Sequence, residues 1–153
     1  MTDYFFDSSA LVKRYVLETG TNWIVSICDP RAGNTIFLAR ITSVEVVSAV
    51  ARRRRNKSLS GANAAAVLDD FRFDSANQYF FVDITDTLID RAMTLADNHA
   101  LRGYDAVQLA AALILQDQRQ SLNLPDCQFI SADSALNAAA VSEGLQTDDP
   151  NLH

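Results

Sequence analysis

Residues 3–18, DYFFDSSALVKRYVLE, decide how this chain folds. The aromatic run Tyr4-Phe5-Phe6 suits a short buried strand, and residues 11–18 suit a helix. Asp7 stands between the two. It ends the strand, and it can also cap the helix that follows, because aspartate is a preferred N-cap residue. The stretch therefore predicts a strand that enters a helix through an acidic turn.

The same alternation continues to the end of the chain. Further strands are predicted at residues 35–38, 79–84 and 128–131. Further helices are predicted at residues 20–28, 43–55, 60–77, 85–100, 104–119 and 135–143. Alternating strands and helices imply parallel pairing through right-handed crossovers. The predicted fold class is α/β, a three-layer helix–sheet–helix sandwich with a central, mainly parallel sheet of four or five strands. One domain is expected over residues 1–153.

Four acidic residues fall where such a fold gathers ligands, beyond the carboxyl ends of its strands. Asp7 and Asp133 each end a predicted strand, and Asp105 opens a strongly apolar helix. Each aspartate also suits a structural role, as an N-cap or as a charge at a helix N-terminus. Glu45 lies between valines inside a helix, where glutamate is seldom buried unless it is paired. A solvated helix face is the alternative for Glu45.

These four carboxylates predict a metal-binding catalytic pocket. Crowded like charges raise one another's pKa values, whereas a divalent cation makes the ionised cluster favourable. Only oxygen ligands are present, with no cysteine or histidine among them, which favours Mg²⁺ or Mn²⁺ over zinc. Such a site suits phosphodiester hydrolysis by a metal-activated water. The sequence leaves the number of metal ions open.

Four segments resemble the motifs of the PIN-domain ribonucleases, and among them the VapC-type toxins of bacterial toxin–antitoxin pairs. They are YFFDSSALVK around Asp7, TSVEVVSAV around Glu45, LRGYDAVQLAAAL around Asp105 and FISADSAL around Asp133. Together they run from residue 4 to residue 136, and the third is the most distinctive. The four acidic positions show no departure from the family pattern, whereas residues 57–79 carry no motif that matches.

The resemblance implies a PIN-like nuclease domain, a Mg²⁺-dependent endoribonuclease, with the four acids as its pocket. It also implies that Ser131 belongs to the catalytic site, where its hydroxyl helps to arrange the pocket, and that Ser9 acts similarly beside Asp7. It further implies a homodimer and a cognate antitoxin whose tail blocks the acidic pocket. The implied substrate is structured RNA such as transfer or ribosomal RNA. The cleavage sequence and the identity of the antitoxin stay open.

The run Arg52 to Arg55 is the only concentrated basic patch. It is either a solvated helix end, where cations suit the helix dipole, or an edge that contacts phosphate. Four consecutive arginines cannot all face one way, so we expect one or two of Arg52, Arg53 and Arg55 to touch RNA. Arg102 is a further candidate, or it pairs with a neighbouring acid. His99 is assigned to the surface or to capping rather than to a general base.

Composition narrows the class of protein. The net charge of −6 argues against a general nucleic-acid coating protein. The longest apolar run, residues 109–115, is too short to cross a membrane, and the amino terminus lacks the basic region of a secretory signal. Two cysteines far apart in sequence suit a reducing compartment. We therefore expect a cytoplasmic enzyme without membrane contact.

Two alternatives remain open at this point. The first is another carboxylate-based phosphate hydrolase or a receiver domain of similar fold. A phosphatase of the haloacid-dehalogenase type needs a second aspartate two residues after Asp7, where Ser9 stands, and the paired acids of a receiver are missing. The second is a catalytically idle PIN-like module for binding or assembly. Its sign would be the loss of an acid, and all four are present.

Overall fold

The computed structural model describes all residues from Met1 to His153 and contains one five-stranded sheet. Its strands are β1 (Asp3–Phe6), β2 (Thr35–Ala39), β3 (Tyr79–Val82), β4 (Gln128–Ile130) and β5 (Gln146–Asp148). They are ordered β3-β2-β1-β4-β5, and every neighbouring pair is parallel. The predicted α/β class and parallel sheet are thereby confirmed. The fifth strand has the polar sequence QTD, which lacks an apolar pattern and was not located from the sequence.

Seven α-helices connect and cover the strands. They are α1 (Ser8–Tyr15), α2 (Thr21–Ile27), α3 (Thr42–Arg55), α4 (Gly61–Asn77), α5 (Asp86–His99), α6 (Gly103–Ser121) and α7 (Ser134–Ser142). The first helix begins and ends three residues earlier than predicted. The carboxylate of Asp7 caps its N-terminus, and Val16 at its C-terminal end adopts an extended conformation. No helix combines the length and the apolar character that a membrane crossing requires.

Two hydrophobic layers lie on opposite faces of the sheet, because successive side chains of a strand point to opposite faces. Phe5 packs in a cluster with residues of α5, α6 and α7. Phe6, its neighbour on β1, packs in a second cluster with residues of α1, α2 and α3. Both phenylalanines are fully buried. This arrangement confirms the predicted three layers of helix, sheet and helix.

The central position of β1 fixes where the candidate site lies. Phe6, the last residue of β1, is paired with Leu38 of β2 and with Ile130 of β4. Asp7 therefore leaves the sheet beside the segments that leave β2 and β4. Those segments lead to the N-termini of α3 and α7, which carry Glu45 and Asp133. The sheet thus brings residues from both ends of the chain to one edge.

Candidate active site

A cavity of about 530 Å³ opens at the carboxyl edge of the sheet, between α1 and α3. Glu45, Asp105 and Asp133 line it directly. Asp7 is buried behind the lining residue Ser9 and is only 3% exposed. The four acids named from the sequence therefore lie around one cavity, three in its wall and one beneath it.

Three donors hold the carboxylate of Asp7, and one of them, the Ser9 hydroxyl, lies within hydrogen-bonding distance of both oxygens. Its Oδ1 accepts from the backbone N–H of Ala10 at 2.9 Å and from the hydroxyl of Ser9 at 2.7 Å. Its Oδ2 accepts from the hydroxyl of Ser131 at 2.8 Å, with Ser9 also at 2.9 Å. Asp7 is thus a helix N-cap, as its sequence context allowed. Burial nevertheless raises the pKa of Asp7 to about 6, against the lowering effect of these hydrogen bonds, and the charge of Glu45 adds to the rise.

The two serine hydroxyls connect Asp7 to the segment that follows β4. The Ser131 hydroxyl accepts from the backbone N–H of Asp133 at 3.1 Å while it donates to Asp7. The Ser9 hydroxyl accepts from the backbone N–H of Ala132 at 2.9 Å. Ser131 is fully buried. Both serines therefore occupy positions from which they can arrange the acidic residues, which is the place that the family resemblance implies for them.

Asp133 and Asp105 differ in the hydrogen bonds that their carboxylates accept. Asp133 caps α7, and its Oδ1 accepts from the backbone N–H groups of Ala135 and Leu136 at 2.9 and 3.0 Å. Asp105, in the first turn of α6, accepts no hydrogen bond and is half-buried. Partial burial raises the pKa of Asp105, and the charges of Asp133 and Glu45 raise it further, while Arg102 opposes them. Asp105 therefore has both carboxylate oxygens free at the crowded centre of the site.

Glu45 is oriented by two residues that sequence reasoning missed. Ser8 donates its hydroxyl to Oε2 of Glu45 at 2.9 Å, and Gln108 donates its amide to Oε1 at 2.7 Å. The same Gln108 amide donates to the hydroxyl of Thr42 at 2.8 Å, whereas its carbonyl oxygen is buried without a partner. The sequence feature that could have pointed to Gln108 is a polar residue within an otherwise apolar run, one helical turn beyond Asp105.

The donor set suits a hard cation in its chemistry, since all four acids offer oxygen ligands and their mutual repulsion favours a positive charge among them. As the side chains stand, however, no group of three or more acidic, histidine or cysteine side chains is arranged to hold a metal ion. The metal site therefore stays a prediction.

The basic candidates divide into those at the cavity and those away from it. Arg52, Arg53 and Arg102 line the cavity, whereas Arg55 does not. The imidazole of His99 lies 2.6 Å from the carboxylate of Glu143, outside the cavity lining. The His99 side chain is only 18% exposed, so the predicted surface position is not what the structure shows, although His99 does lie away from the cavity.

Comparison with known proteins settles the family. No family model matches the sequence. Two proteins from strains of Mycobacterium tuberculosis, ribonuclease VapC45 and ribonuclease VapC49, are each 36% identical to it over 114 residues, which cover 74% of this chain and 76% of each relative. This chain belongs to the VapC ribonuclease family. The resemblance carried by the four motifs is thereby confirmed.

Solved structures share the VapC-type fold. PAE2754 from Pyrobaculum aerophilum matches with a TM-score of 0.63 at 18% identity, covering 95% of this chain and 83% of that one. VapBC2 from Rickettsia felis, bound to a DNA fragment from its promoter, matches with a TM-score of 0.60 at 14% identity, with coverage of 97% and 98%. A toxin–antitoxin complex from Klebsiella pneumoniae matches with a TM-score of 0.53 at 18% identity, with coverage of 86% and 87%. These likenesses support the PIN-like fold of the VapC family.

Proposed function

We propose that this protein is a Mg²⁺-dependent endoribonuclease that hydrolyses RNA phosphodiester bonds at the four-carboxylate cavity, and that it is the toxin of a toxin–antitoxin pair. The ribonuclease names of its relatives support the reaction class. The single observation that carries the proposal is Asp105, whose unbonded carboxylate faces a cavity beside two further acids that raise its pKa.

In this proposal the acidic residues and the side chains that orient them have different roles. Asp105, Asp133 and Glu45 would hold the cation, and Asp7 would act from beneath them. The chemistry that Mg²⁺ or Mn²⁺ supplies when bound is a lowered pKa of water and neutralisation of charge at the reacting phosphate. Gln108 and Ser8 keep the Glu45 carboxylate in one orientation through the two hydrogen bonds they donate.

Ser9 and Ser131 have a positioning role. They fix the carboxylate of Asp7 and the backbone before Asp133 with the same two hydroxyls. Site precision depends on such locked supporting groups, because an acid displaced by about 1 Å costs much of its effect. The two serines therefore act on the reaction through the acids rather than on RNA directly.

One observation favours a second candidate, the catalytically idle binding module. Asp7 and Asp133 both serve as helix N-caps with well-made hydrogen bonds, so both have a structural reason to be present. In that case the cavity would bind neither Mg²⁺ nor Mn²⁺.

The partners proposed for the chain are RNA as substrate, a cognate antitoxin and a second copy of the chain in a homodimer. Toxin–antitoxin complexes among solved structures of this fold support the antitoxin. A cytoplasmic location is consistent with Cys28 and Cys127, which are both buried and unpaired.

The deciding experiment uses the purified, antitoxin-free chain with total cellular RNA in Mg²⁺, in Mn²⁺ and in EDTA. Asp105→Asn is the matched inactive control, because it keeps the size of the side chain and removes its charge. We expect discrete fragments that need the metal and vanish in the variant. Fragments that persist in EDTA and in the variant would indicate a contaminant. If no RNA is cleaved, titration with Mn²⁺ separates an enzyme that lacks its target from an idle module, which would bind no metal.

A further inference from the structure

The cavity has a basic end as well as an acidic one. Lys13 of α1 and Arg52 and Arg53 of α3 line it together with Glu18, which lies in the loop after α1. None of the four acids of the proposed catalytic site belongs to this group. We call Lys13, Glu18 and Arg53 the basic cluster.

Lys13 is the least expected member of the basic cluster, because lysine is almost never buried unless it is paired. It is 5% exposed, and its ammonium group donates one hydrogen bond, to Oε2 of Glu18 at 3.3 Å. An ammonium group has three N–H donors. Glu18 also forms an ion pair with Arg53, through its other oxygen. One carboxylate thus serves two cations, which leaves one positive charge in the cavity wall uncompensated.

The basic cluster lies at a defined distance from the acids. Helices α1 and α3 both start at the carboxyl edge of the sheet, and they pack against each other. Lys13 lies one turn after Ser9, about 6 Å further along α1. Arg53 lies eight residues after Glu45, about 12 Å further along α3. The sign of charge along the cavity therefore changes from negative at the sheet edge to positive one to two turns away.

We propose, building on the nuclease function proposed above, that Lys13 and Arg53 bind a backbone phosphate of RNA that neighbours the phosphate being cleaved. Glu18 occupies this phosphate position in the RNA-free protein and is displaced when RNA binds. Lys13 and Arg53 are then substrate-binding residues, and Glu18 is a built-in competitor that neutralises part of their positive charge in the absence of RNA.

Charge complementarity selects the ligand. A nucleic-acid strand carries one anionic phosphate per nucleotide, and Lys and Arg neutralise these phosphates in a sequence-independent way. The acidic end of the cavity then binds one phosphate through the acids and their cation. The basic end binds a neighbouring phosphate through the basic cluster. Arg52 extends the basic wall and is held by a hydrogen bond to the Ser48 hydroxyl at 3.1 Å.

The test measures binding of a fluorescein-labelled, single-stranded RNA 20-mer of mixed sequence by anisotropy, in EDTA, over a series of salt concentrations. The variants are Lys13→Met, Arg53→Met and Glu18→Gln. Arg54→Met, near the end of α3, and Lys57→Met, two residues beyond α3, are the matched controls, because both residues are exposed, lie outside the cavity lining and form no ion pair. Thermal melts of each variant verify that it folds.

We expect Lys13→Met and Arg53→Met each to weaken binding about fivefold to tenfold, and to reduce the slope of log K against log salt by about 0.7, as loss of one phosphate contact requires. The two controls should change affinity by less than about twofold, as expected for loss of distant screened charge. Glu18→Gln should tighten binding about twofold to threefold, since it removes the competing carboxylate.

Three outcomes would overturn the proposal. In the first, all four cation variants weaken RNA binding equally while the wild type still cleaves total RNA with Mg²⁺. RNA binding would then depend on net charge rather than on the basic cluster, and the proposed nuclease function would be unaffected. A poly-glutamate peptide that binds the wild type more tightly than RNA, and loses that preference in Lys13→Met, would assign the basic cluster to an acidic protein segment. A wild type that neither binds nor cleaves RNA would remove the proposed function and this subsite together.

Discussion

The hydroxyl of Ser131 lies 2.8 Å from Oδ2 of Asp7, although 124 residues separate them in the chain. This hydrogen bond joins the residue that follows β1 to the residue that follows β4. Since the same hydroxyl accepts the N–H of Asp133, one buried side chain sets the relative placement of two of the four acids.

The variant Ser131→Ala should therefore affect RNA cleavage more strongly than it affects the stability of the fold. The variant loses two buried hydrogen bonds, so we expect its free energy of unfolding to fall by about 1–3 kcal/mol. Loss of the hydrogen bond from Ser131 should also raise the pKa of Asp7 further above about 6, because that bond lowers it. The acid limb of the pH–rate profile for RNA cleavage should then move to higher pH. Ser142→Ala, at an exposed position on α7, is the control. An unchanged profile in Ser131→Ala would contradict a positioning role.

The pH dependence of stability should report the buried carboxyl of Asp7. Its pKa is raised from 3.8 to about 6 by folding, so the folded state holds the proton more tightly than the unfolded state. Its stabilising contribution is present below about pH 4 and is lost as the pH rises through about 6. The loss is at most about 3 kcal/mol, from 1.36 kcal/mol per pKa unit.

Asp7→Asn should remove this pH dependence. Urea unfolding in EDTA from pH 4 to pH 7.5 is the measurement, and Asp70→Asn on the exposed side of α4 is the control. We expect Asp7→Asn to gain stability over the wild type as the pH rises. A variant that is less stable than the wild type by about 1 kcal/mol at neutral pH would mean that Asp7 serves as an ordinary N-cap with a favourable charge.

The variant Asp105→Asn should distinguish the effect of like-charge repulsion on stability from the effect of metal binding on stability. In EDTA the variant should be slightly more stable than the wild type, by about 0.5 kcal/mol, because it removes like-charge repulsion at a half-exposed position where solvent screens it. Mn²⁺ at about 100 times its Kd should stabilise the wild type by about 2.7 kcal/mol, and the variant far less.

Differential scanning fluorimetry of the wild type and Asp105→Asn, with and without Mn²⁺, makes this comparison. The Mn²⁺ shift in the wild type should also shrink from neutral to acidic pH, as the ligands take up protons. Equal Mn²⁺ shifts in both proteins would place the cation elsewhere.

Gln108→Leu should affect activity and stability differently. Leucine fills a similar buried volume and eliminates the unpartnered carbonyl oxygen of Gln108. That gain offsets the loss of hydrogen bonds to Thr42 and Glu45, so we expect stability to change by less than about 1 kcal/mol. Glu45 loses an orienting donor, and kcat should fall about tenfold, in the range that loss of a supporting residue costs. Gln118→Leu, at an exposed position further along α6, should leave kcat unchanged. A large loss of stability in Gln108→Leu would instead assign Gln108 to the core.

Most of the fold was predictable because its strands and helices carry strong periodic patterns. The aromatic run of β1 and the apolar face of α6 are examples. The structure places the start of α1 at Ser8, three residues earlier than predicted, because the Asp7 carboxylate caps the helix there. Strand β5 could not be located from three polar residues, because its pairing with β4 is a tertiary interaction that local sequence does not encode.

The sequence predicted which acidic residues lie at the site better than it predicted how their side chains are buried and hydrogen-bonded. The rule that ligands gather at the carboxyl ends of parallel strands correctly selected one region for Asp7, Glu45, Asp105 and Asp133. It could not indicate that Asp7 lies under the cavity with its oxygens bonded, because burial depends on how α1 packs. Gln108 and Lys13 were missed for a similar reason. Each is a polar residue on a helix face whose burial becomes evident only after the helices pack together.

The pairing of β1 with β4 also makes the timing of synthesis matter. β1 is synthesised well before β4, the strand that pairs with it, and before Ser131 and Asp133. A nascent chain that carries only Asp7, Glu45 and Asp105 lacks one wall of the cavity and the hydroxyl that holds Asp7. Such distant pairings also form slowly, because a long loop must close before they are stabilised. A growing chain therefore cannot complete the cavity until the segment that carries Ser131 and Asp133 has emerged.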